Sequence, residues 1–236
     1  MSIKDNFNSI MKNIEYTCNQ IDKRADEIKL ITVTKTHSAD VIMEALQAGA
    51  KYIGENKIQE AQEKLPLLEG QYQEFHFIGH LQSNKIKHLM KLKPALIHSI
   101  DKLSTAEKLS EYCVKNNTKQ EILIQVNTTE EDSKSGTGEN EVLELIKQVA
   151  LLPNIKIMGL MTIGLFDENP EVTRPYFRNL KRIFDYINSL DIDNVIMKYL
   201  SMGMTHDFEI AIEEGANIVR IGSAIFGARD YSKKGL

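Results

Sequence analysis

The chain has 236 residues, 26% of them charged, and a formal net charge of −4, which allows one sizeable core and offers no basic excess to recruit nucleic acid. Cys18 and Cys113 lie far apart, in no CxxC and no Cys/His cluster, so neither a disulfide framework nor a metal site is implied and a reducing, cytoplasmic setting is expected. No apolar signal core follows Met1, and the longest mostly apolar stretch, residues 155–166, is too short to cross a bilayer.

Residues 2 to about 26 read as one amphipathic helix, with Ile3, Phe7, Ile10, Ile14, Cys18 and Ile21 on one face. Short β-rich runs then alternate with longer helical patterns. Strands are predicted at 29–34, 51–54, 74–78, 95–100, 121–126, 155–162, 197–200 and 217–221. Helices fall between them near 38–48, 56–68, 83–91, 102–116, 139–150, 171–189 and 206–214. Each strand-plus-helix unit takes about 27 residues, close to the ~30 such a unit needs. Alternation this regular predicts a parallel sheet, and eight units predict closure into a TIM-type (β/α)8 barrel with an extra N-terminal helix. An open doubly wound sheet is the alternative, but no polar or Pro-bearing edge strand is visible. Residues 1–236 read as a single domain, because no Gly/Ser/Pro-rich linker interrupts them.

In a barrel the C-terminal ends of the strands converge on one mouth, where ligands bind. Lys35 follows the first strand and places one amine at that mouth. It is either a solvated lysine or an imine-forming group. After the seventh and eighth strands come Ser201-Met-Gly203-Met-Thr205 and Gly222-Ser223, each leading into a helix. Such loops are either ordinary helix caps or a phosphate cup. Arg220 lies inside the last apolar strand, where an unpaired charge costs several kcal/mol, so it requires a partner. That partner is an acidic residue on a neighbouring strand or a ring nitrogen or anion on a ligand. Lysine, cup and arginine together suit a phosphorylated aldehyde such as pyridoxal 5′-phosphate.

Several stretches carry a resemblance: Val33-Thr-Lys35, Gly54-Glu-Asn-Lys-Ile-Gln-Glu60, His76-Phe-Ile-Gly-His-Leu-Gln-Ser-Asn-Lys85, Ser133-Lys-Ser-Gly136, Gly159-Leu-Met161, Leu200-Ser-Met-Gly-Met204 and Val219-Arg-Ile-Gly-Ser-Ala-Ile-Phe-Gly-Ala-Arg229. With them the chain resembles the pyridoxal-phosphate homeostasis protein family, whose barrel is similar to the N-terminal domain of alanine racemase (fold type III). The resemblance implies that Lys35 forms the imine with pyridoxal 5′-phosphate. It implies that Ser201, Gly203, Gly222 and Ser223 bind the phosphate, that Arg220 faces the pyridine nitrogen and that Asn56 lines the pocket. His37-Ser38 stands where many members have Lys-Pro, and Lys57 where an aromatic is common.

The residues favour a carrier over an enzyme. An arginine at the pyridine nitrogen keeps it unprotonated and weakens the ring as an electron sink. No tyrosine falls in a mouth loop to act as a second acid/base, and His80 and His206 read as surface groups. Only residues 222–236 follow the last strand, too few for the additional β-domain that completes racemase-like enzymes, so a monomer is expected. The expected function is binding, buffering and delivery of the cofactor in vitamin B6 homeostasis, with recipient apoenzymes as possible partners, no catalytic residue and no metal. A weak racemase or other pyridoxal-phosphate enzyme is the alternative, and a class I aldolase using Lys35 is a third reading. Lys134, on the acidic loop after the fifth strand, is a possible transient second acceptor for the departing cofactor.

Overall fold

The structure is a computed structural model and describes residues 2–129, 135–165 and 167–227. Eight parallel strands close on themselves: β1 (Lys29–Val33), β2 (Tyr52–Glu55), β3 (Glu74–Phe77), β4 (Leu96–Ile100), β5 (Gln120–Asn127), β7 (Ile155–Met161), β8 (Val195–Ser201) and β9 (Ile218–Ile221). The order runs β4-β3-β2-β1-β9-β8-β7-β5, and pairing of β4 with β5 completes the ring. A two-residue strand, β6 (Thr137–Gly138), adds to β5 at Val126 and Asn127. The expected TIM barrel is therefore the fold, with this short strand as an addition at the mouth.

The strands read as apolar runs because both of their faces are covered. Inside the barrel, Ile31, Leu96, Leu123, Met158, Met161 and Ile218 pack together, with Tyr52 and Tyr199 against them. Outside, the strands meet α2 (Ala39–Gln47), α3 (Ile58–Lys64), α4 (Ile86–Met90), α5 (Leu103–Lys115), α6 (Val142–Ala150), α7 (Arg174–Ser189) and α8 (Phe208–Glu213). The predicted helix over 56–68 ends at Lys64 and continues as a 3-10 turn through Pro66, whose ring cannot continue the α-helical bonding.

The N-terminal helix, α1 (Ile3–Gln20), is shorter than the pattern suggests. Asp22 turns the chain at φ 52 and residues 25–27 form a separate 3-10 turn. A capping box between Ser2 and Asp5 starts α1. Its buried face, Phe7, Ile10, Ile14 and Cys18, packs on α2, α8 and the last helix, α9 (Ser223–Phe226). Asn6 Nδ2 also donates to Ile225 O at 2.9 Å. The first helix thus braces the last one, which stands at the barrel mouth.

The interior also holds two buried histidines, His76 on β3 and His98 on β4. Burial pushes both imidazoles below their ordinary range, His98 well below, although Glu74 pulls His76 the other way. Unfolded, each takes up a proton below about pH 6.5. Folded, both stay neutral to lower pH, so their contribution is present above that value and is lost as the pH falls. The slope approaches about 2.7 kcal/mol per pH unit where both protonate only in the unfolded state. Glu55 and Asp207, held above the usual carboxylate range by burial, oppose part of it. Urea unfolding at pH 7 and pH 5.5 checks this, with a lower midpoint expected at pH 5.5.

Candidate functional site

A cavity of about 460 Å³ opens at the C-terminal ends of the strands, within the range of small-ligand sites. Lys35, Asn56, Arg220, Gly222 and Ser223 line it. These are five of the seven residues the sequence singles out. Ser201 and Gly203 stand behind its wall.

Lys35 lies two residues beyond β1 in a tight turn closed by His37 N–H donating to Thr34 O at 3.2 Å. The third residue of that turn, Thr36, has φ 69, a conformation that Gly or Asn ordinarily supplies and that is strained for a β-branched residue. A buried ionic cluster holds the strain in place. Lys64 Nζ donates to Thr34 O, Glu55 Oε1 and Glu60 Oε2 at 3.1, 3.0 and 2.9 Å. Thr36 N–H donates to Glu60 Oε2 at 2.7 Å, and Thr34 Oγ1 to Glu55 Oε1 at 2.7 Å. Burial pushes the Glu60 carboxyl up, but Lys64 and the Thr36 N–H outweigh it and hold it below its ordinary value. The segment carrying Lys35 is thereby gripped on both sides. Lys64→Met removes the cation between two carboxylates, one of them fully buried, and is expected to cost about 3–5 kcal/mol, read as a lower urea midpoint.

Asn56 follows β2, and its Oδ1 is buried without a protein partner. Its position is set by Gly79, where an added Cβ would lie 2.0 Å from Asn56 O. Only a glycine permits that approach of the loop after β3.

The loops after β8 and β9 face each other. Ser223 Oγ and Thr205 Oγ1 are 3.1 Å apart, and Ala224 N–H reaches Thr205 Oγ1 at 3.4 Å. Gly222 sits close to β1, where a Cβ would meet Val33 O at 3.1 Å. His37, just past Lys35, stacks on Phe226 of α9 with ring centroids 4.4 Å apart. The helices behind these loops have six and four residues, so little macrodipole is available there, and what the loops present is backbone N–H groups and hydroxyls. β8 runs through Ser201, one residue further than the pattern suggests. Its side chain points into the barrel, where the hydroxyl meets Arg220 Nη1 at 2.7 Å and His98 Nδ1 at 3.0 Å. Gly203 has φ 91, and a Cβ there would lie 2.5 Å from Ala211 Cβ. It turns the chain off β8 onto α8.

Arg220 forms the floor. Nη1 donates to Ser201 Oγ and Nη2 donates to Thr162 O at 2.8 Å. Burial pulls the guanidinium down to about 10, offset in part by the charge of Asp207. Among the described residues no carboxylate lies within ion-pair distance of it. The acidic neighbour offered as one sequence reading is thus not its partner, and the cation rests on neutral oxygens while lining the cavity.

Met204 and Thr205 of the loop after β8 also line the cavity, as do Ile163 and Gln125, which the sequence reading does not single out. A polar Gln125 inside Ile122-Leu-Ile-Gln-Val126 was the available signal for that residue. His80 and His206 are exposed, as expected, yet stand on the rim. Lys134 lies outside the described residues. Among the described residues no cluster of His, Cys, Asp and Glu could hold a metal ion, and no helix is long and apolar enough to cross a membrane.

The family described as "Alanine racemase, N-terminal domain" matches residues 10–230, which defines the class of barrel. The chain is 42% identical over 231 residues to the pyridoxal phosphate homeostasis protein of Aquifex aeolicus, covering 98% of this chain and 100% of that one. It belongs to the pyridoxal phosphate homeostasis protein family. Among solved structures, a Bifidobacterium adolescentis protein described as unknown is 34% identical with a TM-score of 0.89 and 94% coverage of both chains. PipY of Synechococcus elongatus, solved with PLP bound, is 27% identical with a TM-score of 0.78, covering 91% of this chain and all of that one.

Proposed function

We propose that this protein binds pyridoxal 5′-phosphate as an imine to Lys35 and serves intracellular vitamin B6 homeostasis, buffering and delivering the cofactor without robust catalysis of its own. The observation that carries this reading is Arg220. A buried cation with no carboxylate within ion-pair distance among the described residues, lining the same cavity as a lysine, suits a ring nitrogen as acceptor. The unpartnered Asn56 Oδ1 suits a ring hydroxyl. Gly222, Ser223 and Thr205 offer N–H and hydroxyl groups to the phosphate, while Gly203 turns the chain into the first of these loops and Ser201 holds Arg220.

The bound cofactor supplies an electrophilic imine and a ring able to draw electrons. This chain's residues limit the second property. A guanidinium donates a hydrogen bond to the ring nitrogen and disfavours its protonation. Among the described cavity residues there is no Tyr, Cys, Asp or Glu, and the two histidines sit in solvent at the rim, poorly placed to be shielded proton carriers. Weak racemase activity is the second reading, favoured by the family's barrel and those rim histidines.

Consistent with this role, we take the protein to be a cytoplasmic, single-domain monomer whose partners are the cofactor and recipient apoenzymes. The deciding experiment is the absorbance spectrum of the isolated protein. A yellow band bleached by borohydride, with the added mass on Lys35, is expected. A colourless protein that takes up no pyridoxal phosphate overturns the proposal.

A further inference from the structure

A continuous line of hydrogen bonds runs through the barrel interior from Arg220 to the opposite mouth. Arg220 Nη1 donates to Ser201 Oγ, which lies 3.0 Å from His98 Nδ1. His98 Nε2 is 2.9 Å from His76 Nδ1, and His76 Nε2 is 2.8 Å from Glu74 Oε2. Lys29 Nζ closes the far end at 2.7 Å from the same carboxylate oxygen, with the Tyr52 and Tyr199 rings beside it. Five strands contribute, and the three central side chains are all buried.

The ends fix the direction of every bond between them. A guanidinium can only donate and an ionised carboxylate can only accept. The hydrogen bond from His76, with Lys29 alongside, holds the Glu74 carboxyl at about 2 despite the opposing cost of burial, so that end is an acceptor. Ser201 takes a hydrogen from Arg220 and passes its own to His98 Nδ1. His98 then donates from Nε2 to His76 Nδ1, and His76 donates from Nε2 to Glu74. The reverse arrangement would need a doubly protonated His76 between Lys29 and Arg220 and would leave the Ser201 hydrogen without an acceptor. Both histidines are therefore neutral and protonated at Nε2. Each dipole in the line turns its negative end toward Arg220.

The geometry points to Glu74 as a remote counter-charge of Arg220, with His76, His98 and Ser201 as positioning residues that carry its polarity across the barrel and hold Arg220 in place beneath the cavity. The assignment deepens the proposed cofactor site and rests on it only for the ligand above Arg220. Together with the nearby charge of Asp207, it accounts for a buried cation whose hydrogen bonds go to neutral oxygens. Aligned hydrogen bonds in a low-dielectric interior polarise one another.

The test uses the full chain labelled with ¹⁵N-histidine, with and without pyridoxal phosphate, as wild type and as Glu74→Gln. Two-bond ¹H–¹⁵N spectra of the wild type are expected to show His76 and His98 neutral, Nε2 protonated and Nδ1 accepting. An amide at position 74 can donate as well as accept, so Glu74→Gln releases the line to reverse. The His98 nitrogens should then shift toward the Nδ1-protonated form although His98 does not touch residue 74. Pyridoxal phosphate should bind about 10-fold more weakly, the scale at which outer partners act on a site. An Nδ1-protonated or cationic His98 in the wild type overturns the assignment. So do His98 signals and affinity that both stay unchanged in Glu74→Gln while the wild type binds cofactor. Should the wild type bind none, the proposed function fails, and the ring-nitrogen spectra alone decide the inference.

Discussion

Lys35→Ala is expected to abolish the yellow imine band and the borohydride-trapped adduct while changing stability by no more than about 1 kcal/mol. The side chain lies beyond the end of β1 at the cavity wall, so its loss removes the covalent partner with little packing. The clamp around it is made by the backbone of Thr34 and Thr36 and by Lys64, Glu55 and Glu60, none of which the substitution touches. The proposed phosphate and ring contacts are left intact, and pyridoxal phosphate should still bind, reversibly and without reduction onto the protein. A variant that kept a full reducible band would assign the imine to another amine. Absorbance before and after borohydride, with intact mass, distinguishes these results.

Arg220→Ala is expected to have the larger combined effect. It leaves Thr162 O and Ser201 Oγ without their buried donor, a loss of about 1–3 kcal/mol, and removes the proposed donor to the ring nitrogen. Both melting temperature and cofactor content should fall. Unchanged values for both would remove Arg220 from the floor of the site. Arg220→Glu asks a sharper question, because a carboxylate favours a protonated ring nitrogen and so a stronger electron sink. Slow transamination appearing in that variant would support the carrier reading of the natural residue, and it is measured by release of the keto acid.

The barrel was legible because each strand is a short apolar run and each crossover a helical pattern at regular spacing. Lys35 and Arg220 stood out because a charge at the tip of an apolar strand or inside one must be solvated, paired or put to use. What escaped was whatever depends on register between strands. His76 and His98 sit in Phe75-His-Phe77 and Ile97-His-Ser99, and nothing along the chain says that two residues 22 apart join their imidazoles end to end. The phosphate role given to Ser201 came from the resemblance, and its hydrogen bonds to Arg220 and His98 depend on strands that the chain separates by 19 and 103 residues. The two-residue β6 was too short to leave a pattern. The Thr36 turn went unseen because nothing in threonine announces a positive φ.

The bracing of α1 against α9 has a consequence for synthesis. Asn6 and Ile225 are 219 residues apart, and β1 pairs with β9 as well as β2, so the first-made elements complete their packing only when the last are made. Contacts of such long range fold slowly and late. A chain still emerging from the ribosome exposes the apolar face of α1 and two open sheet edges, those of β1 and β8, and it lacks Arg220 at the base of the cavity until that residue has been added. On the proposed reading, capture of the reactive aldehyde therefore waits for the last strand. A nascent chain stalled before β9 would be an aggregation-prone open sheet with Lys35 in place and Arg220 not yet made.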